Sequence, residues 1–209
     1  MTKDELCLVV ELSNKYDFKI LSDECYIDIY FNEKPSSLLQ AAMEVNRCFD
    51  NILVLHSLSK RSNLPGFRSG CATGDKKIIS AYSKYRMFHG VSVPLPIQNA
   101  SVLAWEDYET VEDNRALYKE KFKLAEKILE KDSLIPEGAF YLWLKVKDSE
   151  MFTKKLYNEE QVIVLPGKYL GTKNNGNNPA EQFLRIALVH DIKLTSKALK
   201  SIKKIIDND

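Results

Sequence analysis

The densest run of chemically capable residues is Ser57-Leu58-Ser59-Lys60-Arg61-Ser62-Asn63-Leu64-Pro65-Gly66-Phe67-Arg68-Ser69-Gly70. It follows Ile52-Leu53-Val54-Leu55, an unbroken aliphatic block of strand length that reads as a buried strand. Ligands of open α/β sheets bind outside the carboxyl ends of such strands. Two hydroxyls (Ser57, Ser59), a lysine (Lys60) and an arginine (Arg68) are therefore expected where α/β proteins do chemistry. Hydroxyls and a planar guanidinium suit a phosphate. A lysine at a desolvated strand end can have its pKa lowered enough to act as a nucleophile. A phosphate site beside a reactive lysine suggests pyridoxal 5'-phosphate held as a Schiff base.

A second stretch adds to this reading. Phe18-Lys19-Ile20-Leu21-Ser22-Asp23-Glu24-Cys25-Tyr26 is a short strand with an acid at its end and a tyrosine three residues on. Pyridoxal phosphate needs an anion against its pyridine nitrogen and benefits from a donor to its phenolic oxygen. Asp23 and Tyr26 supply both from neighbouring positions, while Glu24 is left for packing or a surface contact. Late in the chain Arg185 sits in the apolar run Phe183-Leu184-Arg185-Ile186-Ala187-Leu188. A buried arginine there needs an anion, either an internal carboxylate or a substrate.

Asp23-Glu24-x-Tyr26, Ser57-x-Ser59-Lys60, Pro65-Gly66-x-Arg68-x-Gly70 and Phe183-Leu184-Arg185-Ile186, in that order, resemble the class I/II aminotransferases of the fold-type-I pyridoxal-phosphate enzymes. The longer string from His56 to Gly66 resembles the N-succinyldiaminopimelate aminotransferases of bacterial lysine biosynthesis. The resemblance implies an α/β fold, with residues 1–106 the C-terminal part of a large cofactor-binding domain. Residues 107–209 would be a linking helix and a small C-terminal domain. It implies Lys60, Asp23 and Tyr26 as catalytic residues and Ser57, Ser59 and Arg68 as further cofactor ligands. Arg185 becomes the clamp on a substrate α-carboxylate. The implied substrates are an amino acid and a 2-oxo acid, and the implied assembly is a homodimer. Lyases and decarboxylases on the same scaffold share the Asp, Lys and Arg, so these residues do not identify the reaction. A cofactor-binding regulatory domain is a further alternative.

The elements that must position these groups can be read from patterning. Thr2-Lys3-Asp4-Glu5 is a capping box, followed by a helix with Leu6, Val9, Val10 and Ser13 on one face. A helix feeding a buried strand wants a parallel strand before it. The resemblance accounts for that by placing about half of the large domain, with its Gly-rich phosphate loop and ring-stacking aromatic, ahead of this helix. On this reading the chain is a C-terminal portion, inactive alone. Residues 76–88 read as a helix with Ile78, Ile79, Tyr82 and Phe88 inward, residues 89–96 as a loop, and 98–105 as a buried helix. Residues 107–131 are the longest helical pattern, with Leu117, Phe122, Ala125, Ile128 and Leu129 inward and the charges solvated. Strands are expected at 139–146, 161–165 and 183–189, helices at 151–157 and 195–206, and a flexible loop at 171–179.

Composition narrows the function classes. Apolar residues make up 44% and charged residues 28%, ordinary for a globular protein. With 30 basic and 29 acidic residues the net charge is +1, which offers no bulk attraction to nucleic acid or a membrane surface. No apolar run approaches membrane-spanning length. Cys7, Cys25, Cys48 and Cys71 lack metal-ligand spacing and read as reduced, mostly buried thiols of a cytoplasmic protein. His56 either supports the phosphate from behind or simply ends its strand. His89 and His190 are isolated, so a metal is not expected. Trp143 and Tyr169 read as core aromatics, with the substrate pocket as the alternative.

Overall fold

A computed structural model describes residues 1–90, 92–132 and 134–208. It divides into two compact units, Met1–Arg115 and Ala116–Asp209. Val91, within the expected 89–96 loop, lies outside the described residues.

In the first unit α1 (Lys3–Tyr16) opens on the expected capping box. Thr2 Oγ1 accepts the Glu5 N–H at 3.3 Å, and the Glu5 carboxylate accepts the Thr2 N–H at 2.7 Å. The helix ends at Asp17 in the left-handed region. Strand β1 (Ile20–Asp23) runs parallel to β2 (Ile52–Ser57), and β2 pairs antiparallel with β3 (Gly70–Gly74). Between β1 and β2 the chain forms α2 (Leu38–Val45), which a second capping box at Ser37 and Gln40 starts. Leu6 and Val10 of α1 meet Leu38, Ala41 and Ala42 of α2 over Ile52 and Val54 of β2. Each large aliphatic buried this way contributes about 1.5–3 kcal/mol. This core holds β2 in the middle of the sheet, so the ends of β1 and β2 deliver Asp23 and Ser57 to the same edge.

After β2 come the single-turn helix α3 (Leu58–Arg61) and a 3₁₀ turn at Pro65–Phe67. The return into β3 is tight. Ser57 pairs with Gly70, where a Cβ would stand 2.5 Å from the His56 carbonyl oxygen, so only glycine allows this approach.

Two helices of this unit depart from expectation. In α4 (Lys76–Phe88) Ile78 and Ile79 are half-buried, but Tyr82 is 39% exposed and Phe88 76%. In α5 (Leu95–Glu106) only Ser101 is buried, while Leu95, Val102 and Leu103 face solvent. Apolar periodicity names the face that wants a partner and does not supply one. The cysteines also differ: Cys7, Cys25 and Cys48 are half-buried, Cys71 is exposed, and all four are free thiols.

Helix α6 (Glu109–Leu129) begins in the first unit and continues into the second. Phe122, Ala125 and Leu129 are buried as expected, whereas Leu117 is 40% exposed. Lys121, expected on a solvated face, is 2% exposed and donates to the Leu188 carbonyl at 3.0 Å. The second unit's sheet has β6 (Phe183–Ala187) in the middle, flanked antiparallel by β4 (Tyr141–Lys145) and β5 (Leu165–Pro166). Helices α7 (Ser149–Glu160) and α8 (Ile192–Asp207) complete it. The strand expected at 161–165 is only two residues long, because Gln161 turns into the left-handed region to end α7. At the end of the 171–179 loop, buried Asn178 donates to the Lys168 carbonyl at 2.9 Å and accepts from the Ala180 N–H at 3.0 Å. No helix of the described residues is long and apolar enough to cross a membrane.

Candidate active site

Asp23 is the last residue of β1, exposed at the sheet's carboxyl edge. Hydrogen bonds from Cys25, through its thiol and its N–H (3.1 Å to Oδ1), hold the Asp23 carboxyl below the usual carboxylate range. Burial, then the adjacent Asp23, pushes the Cys25 thiol up to about 11. Asp23 is therefore an anion and Cys25 a neutral donor at physiological pH. Glu24, expected to pack or lie on the surface, turns inward and is 9% exposed. One carboxylate oxygen accepts the Leu38 N–H at 2.8 Å and lies 3.2 Å from the Ser22 hydroxyl. The other stands 3.7 Å from His56 Nε2 and has no hydrogen-bond partner. The alternating pleat explains the division: adjacent residues at a strand end face opposite ways.

Beyond Glu24 the chain folds into consecutive turns, Ile27 N–H to the Glu24 carbonyl and Ile29 N–H to the Tyr26 carbonyl. They present the Tyr26 ring, whose centroid lies 5.9 Å from Lys60 Nζ. Lys60 is half-buried within α3. Ser57 caps that turn: its Oγ accepts the Ser59 N–H at 3.1 Å and lies 3.0 Å from the Ser59 hydroxyl. Both hydroxyls thus sit together at the end of β2. Arg68 holds a left-handed conformation (φ 51), unusual for a residue with a Cβ, and its guanidinium donates to the Pro65 carbonyl at 2.8 Å. A left-handed arginine in a loop beside reactive groups fits the pattern of strain kept at functional sites.

The first unit therefore brings Asp23, Tyr26, Ser57, Ser59 and Lys60 to one end of its sheet, with Arg68 in the following loop. Arg185 belongs to the second unit. It is the centre of β6, paired with Trp143 of β4 and Leu165 of β5. Leu184 and Ile186 fill the core, and the period of two turns Arg185 to the opposite, half-exposed face. It is less buried than an apolar strand suggested. Its guanidinium lies over the Tyr141 ring, 4.4 Å from the centroid. On the same face Trp143, 40% exposed, stacks on Phe183 with centroids 5.4 Å apart. Trp143 and Tyr169, expected in the core, are both exposed.

The donor set fits pyridoxal phosphate. It offers a carboxylate kept ionised by its neighbour, a primary amine beside a phenol, and paired hydroxyls. Sequence reading missed Arg61. It is buried within the central motif and engages residues more than forty positions away, which no local pattern signals.

The chain is similar to known proteins along most of its length. The family model for aminotransferase class I and II matches residues 1–202. The 4-dedimethylamino-4-oxo-anhydrotetracycline transaminase OxyQ of Streptomyces rimosus is 33% identical over 171 residues, 80% of this chain and 46% of that protein. An LL-diaminopimelate aminotransferase of Aquifex aeolicus is 31% identical over 94% of this chain and 50% of its own length. The crystal structure of aminotransferase AspB from Helicobacter pylori superposes with a TM-score of 0.89 at 41% identity, covering 100% of this chain and 55% of that one. The chain spans about half the length of the relatives it matches. With motif, strand order and family match in agreement, the chain belongs to the class I and II aminotransferases, pyridoxal-phosphate enzymes of fold type I.

Proposed function

We propose that this protein transfers an amino group between an amino acid and a 2-oxo acid. The observation that carries the reading is the Lys60 amine beside the Tyr26 ring at the sheet end that also presents the ionised Asp23. Pyridoxal phosphate, when bound, supplies an aldehyde for amine exchange and a ring that accepts electrons from the substrate's α-carbon. Lys60 would hold the cofactor covalently and, once freed by substrate, would carry the proton to and from the substrate's α-carbon. Asp23 would keep the ring nitrogen charged, and Tyr26 would donate to the ring oxygen. Ser57, Ser59 and Arg68 would hold the phosphate. Arg185 would hold the substrate α-carboxylate as a bidentate clamp, and its place over the Tyr141 ring, 4.4 Å from the centroid, supports a guanidinium held ready for that role. Residues 1–106 act as part of the large cofactor-binding domain and 107–209 as linking helix and small domain. A homodimer would cover apolar side chains such as Phe88 and Leu103 that the chain leaves in solvent.

For the donor we favour N-succinyl-LL-diaminopimelate with 2-oxoglutarate as acceptor. The string from His56 to Gly66 and the likeness to LL-diaminopimelate aminotransferases support it. Aspartate is the alternative donor. Each donor is to be incubated with 2-oxoglutarate and with this chain joined to the large-domain half that its relatives carry, and the products counted. Glutamate should appear in equal amount to the new oxo acid. Free ammonia in place of glutamate would assign elimination instead. Arg185→Ala should weaken both dicarboxylate and monocarboxylate substrates by about 2–5 kcal/mol. A loss confined to one class would mean that Arg185 reads the side chain.

A further inference from the structure

Arg61 adjoins Lys60, yet its side chain is only 5% exposed. Taking a guanidinium out of water is costly unless its donors are matched, and here every nitrogen is. Nε lies 3.2 Å from Asp28 Oδ2. Nη1 donates to the Ala104 carbonyl at 2.6 Å and to Ser62 Oγ at 3.2 Å, and Nη2 donates to the Trp105 carbonyl at 3.0 Å. The guanidinium also stands 5.5 Å and 5.0 Å from the ring centroids of Trp105 and Tyr108.

These partners come from separate places. Ala104 and Trp105 offer carbonyls of the last turn of α5, which lack partners inside their own helix. Asp28 lies in the turns that carry Tyr26. Helix α3 is a single turn, too short to hold its own orientation. Leu58 and Arg61, three residues apart on one face, are its two buried anchors, and Lys60 stands between them.

We propose that Arg61 is a positioning residue. It fixes the Lys60 turn to the Tyr26 loop and to the carboxyl end of α5, and so sets where the Lys60 amine stands. The proposal deepens, and rests on, the reading of Lys60 as the lysine that bonds the cofactor. A lysine cannot take the place of Arg61, because a single ammonium lacks the fork that spans a carboxylate and two carbonyls.

The test compares the full chain with Arg61→Lys, Arg61→Met, Asp28→Asn and a control, Val10→Ala. Val10→Ala opens a cavity in the α1 core and touches none of these groups. Each cofactor-free protein is pulse-labelled with an amine-reactive ester, and the rate at Lys60 is read by peptide mass spectrometry. Thermal unfolding of each is recorded alongside. Both Arg61 variants should label Lys60 at least about fivefold faster, approaching exposed lysines, with Asp28→Asn between them and the unsubstituted chain. Val10→Ala should leave the Lys60 rate unchanged although its melting temperature falls. Affinity for added pyridoxal phosphate should drop by roughly tenfold or more in the Arg61 variants, since a misplaced reactive group is costly. An unchanged Lys60 rate in Arg61→Lys, or an equal rise in Val10→Ala, would overturn the proposal. Borohydride trapping of the cofactor on another lysine of the unsubstituted chain would instead defeat the reading of Lys60, while the labelling rates still decide what Arg61 does.

Discussion

Asp23 and Glu24 are adjacent carboxylates with different work. Asp23 is exposed and held ionised by Cys25; Glu24 is buried and accepts from the start of α2. Asp23→Ala should lower turnover by roughly three orders of magnitude, the scale of losing one preorganised charge at the reacting centre. Its unfolding midpoint should scarcely move. Glu24→Ala should do the reverse, costing about 1–3 kcal/mol because the Leu38 N–H is left buried without an acceptor. Urea unfolding and steady-state rates on both variants check the pair. Near-normal kinetics in Asp23→Ala would remove it from the site. The sequence showed both acids at a strand end, and the pleat sends only one toward the reactive edge. Tyr26 and the motif singled out Asp23, while the fate of Glu24 stayed open between packing and a surface contact, since its partner Leu38 arrives from a separate helix.

Elements were legible where their cause is local. The aliphatic run at 52–55 is β2, Thr2 and Glu5 start α1, and the seven-residue strand expected around Arg185 is β6 shortened by two. Burial was less legible, because it depends on what packs from elsewhere. Lys121 shows this. Its side chain packs beneath the Leu188 carbonyl and the Tyr118 ring, and desolvation lowers its pKa below the ordinary 10.5. A folded-state value below the unfolded one means that the unfolded chain binds more protons between the two. Stability should therefore rise with pH as the solution passes from the depressed folded value toward 10.5. Below that window the buried charge is a full liability. Lys121→Met keeps the length of the side chain and removes the charge. It should be at its most stable relative to the unsubstituted protein near neutral pH, and the gap should narrow as pH approaches 10. Unfolding at pH 7 and pH 9.5 measures this, and a gap that widens with pH would contradict the assignment.

At the scale of the molecule, the chemically capable residues are divided between two units. The first holds Asp23, Tyr26, Ser57, Ser59 and Lys60 at one end of its sheet; the second holds Arg185 in the centre of β6. The proposed chemistry rests on the Lys60 turn, so the account stands or falls there. The direct measurement is to mix the 209-residue chain with pyridoxal phosphate, reduce with borohydride, and map the adduct by peptide mass spectrometry. The pyridoxyl group should sit predominantly on Lys60, and Lys60→Ala should abolish both the visible absorbance and that adduct without moving it elsewhere. Modification spread over exposed lysines such as Lys193, Lys197 and Lys200, with Lys60 no more reactive than they are, would contradict the central claim.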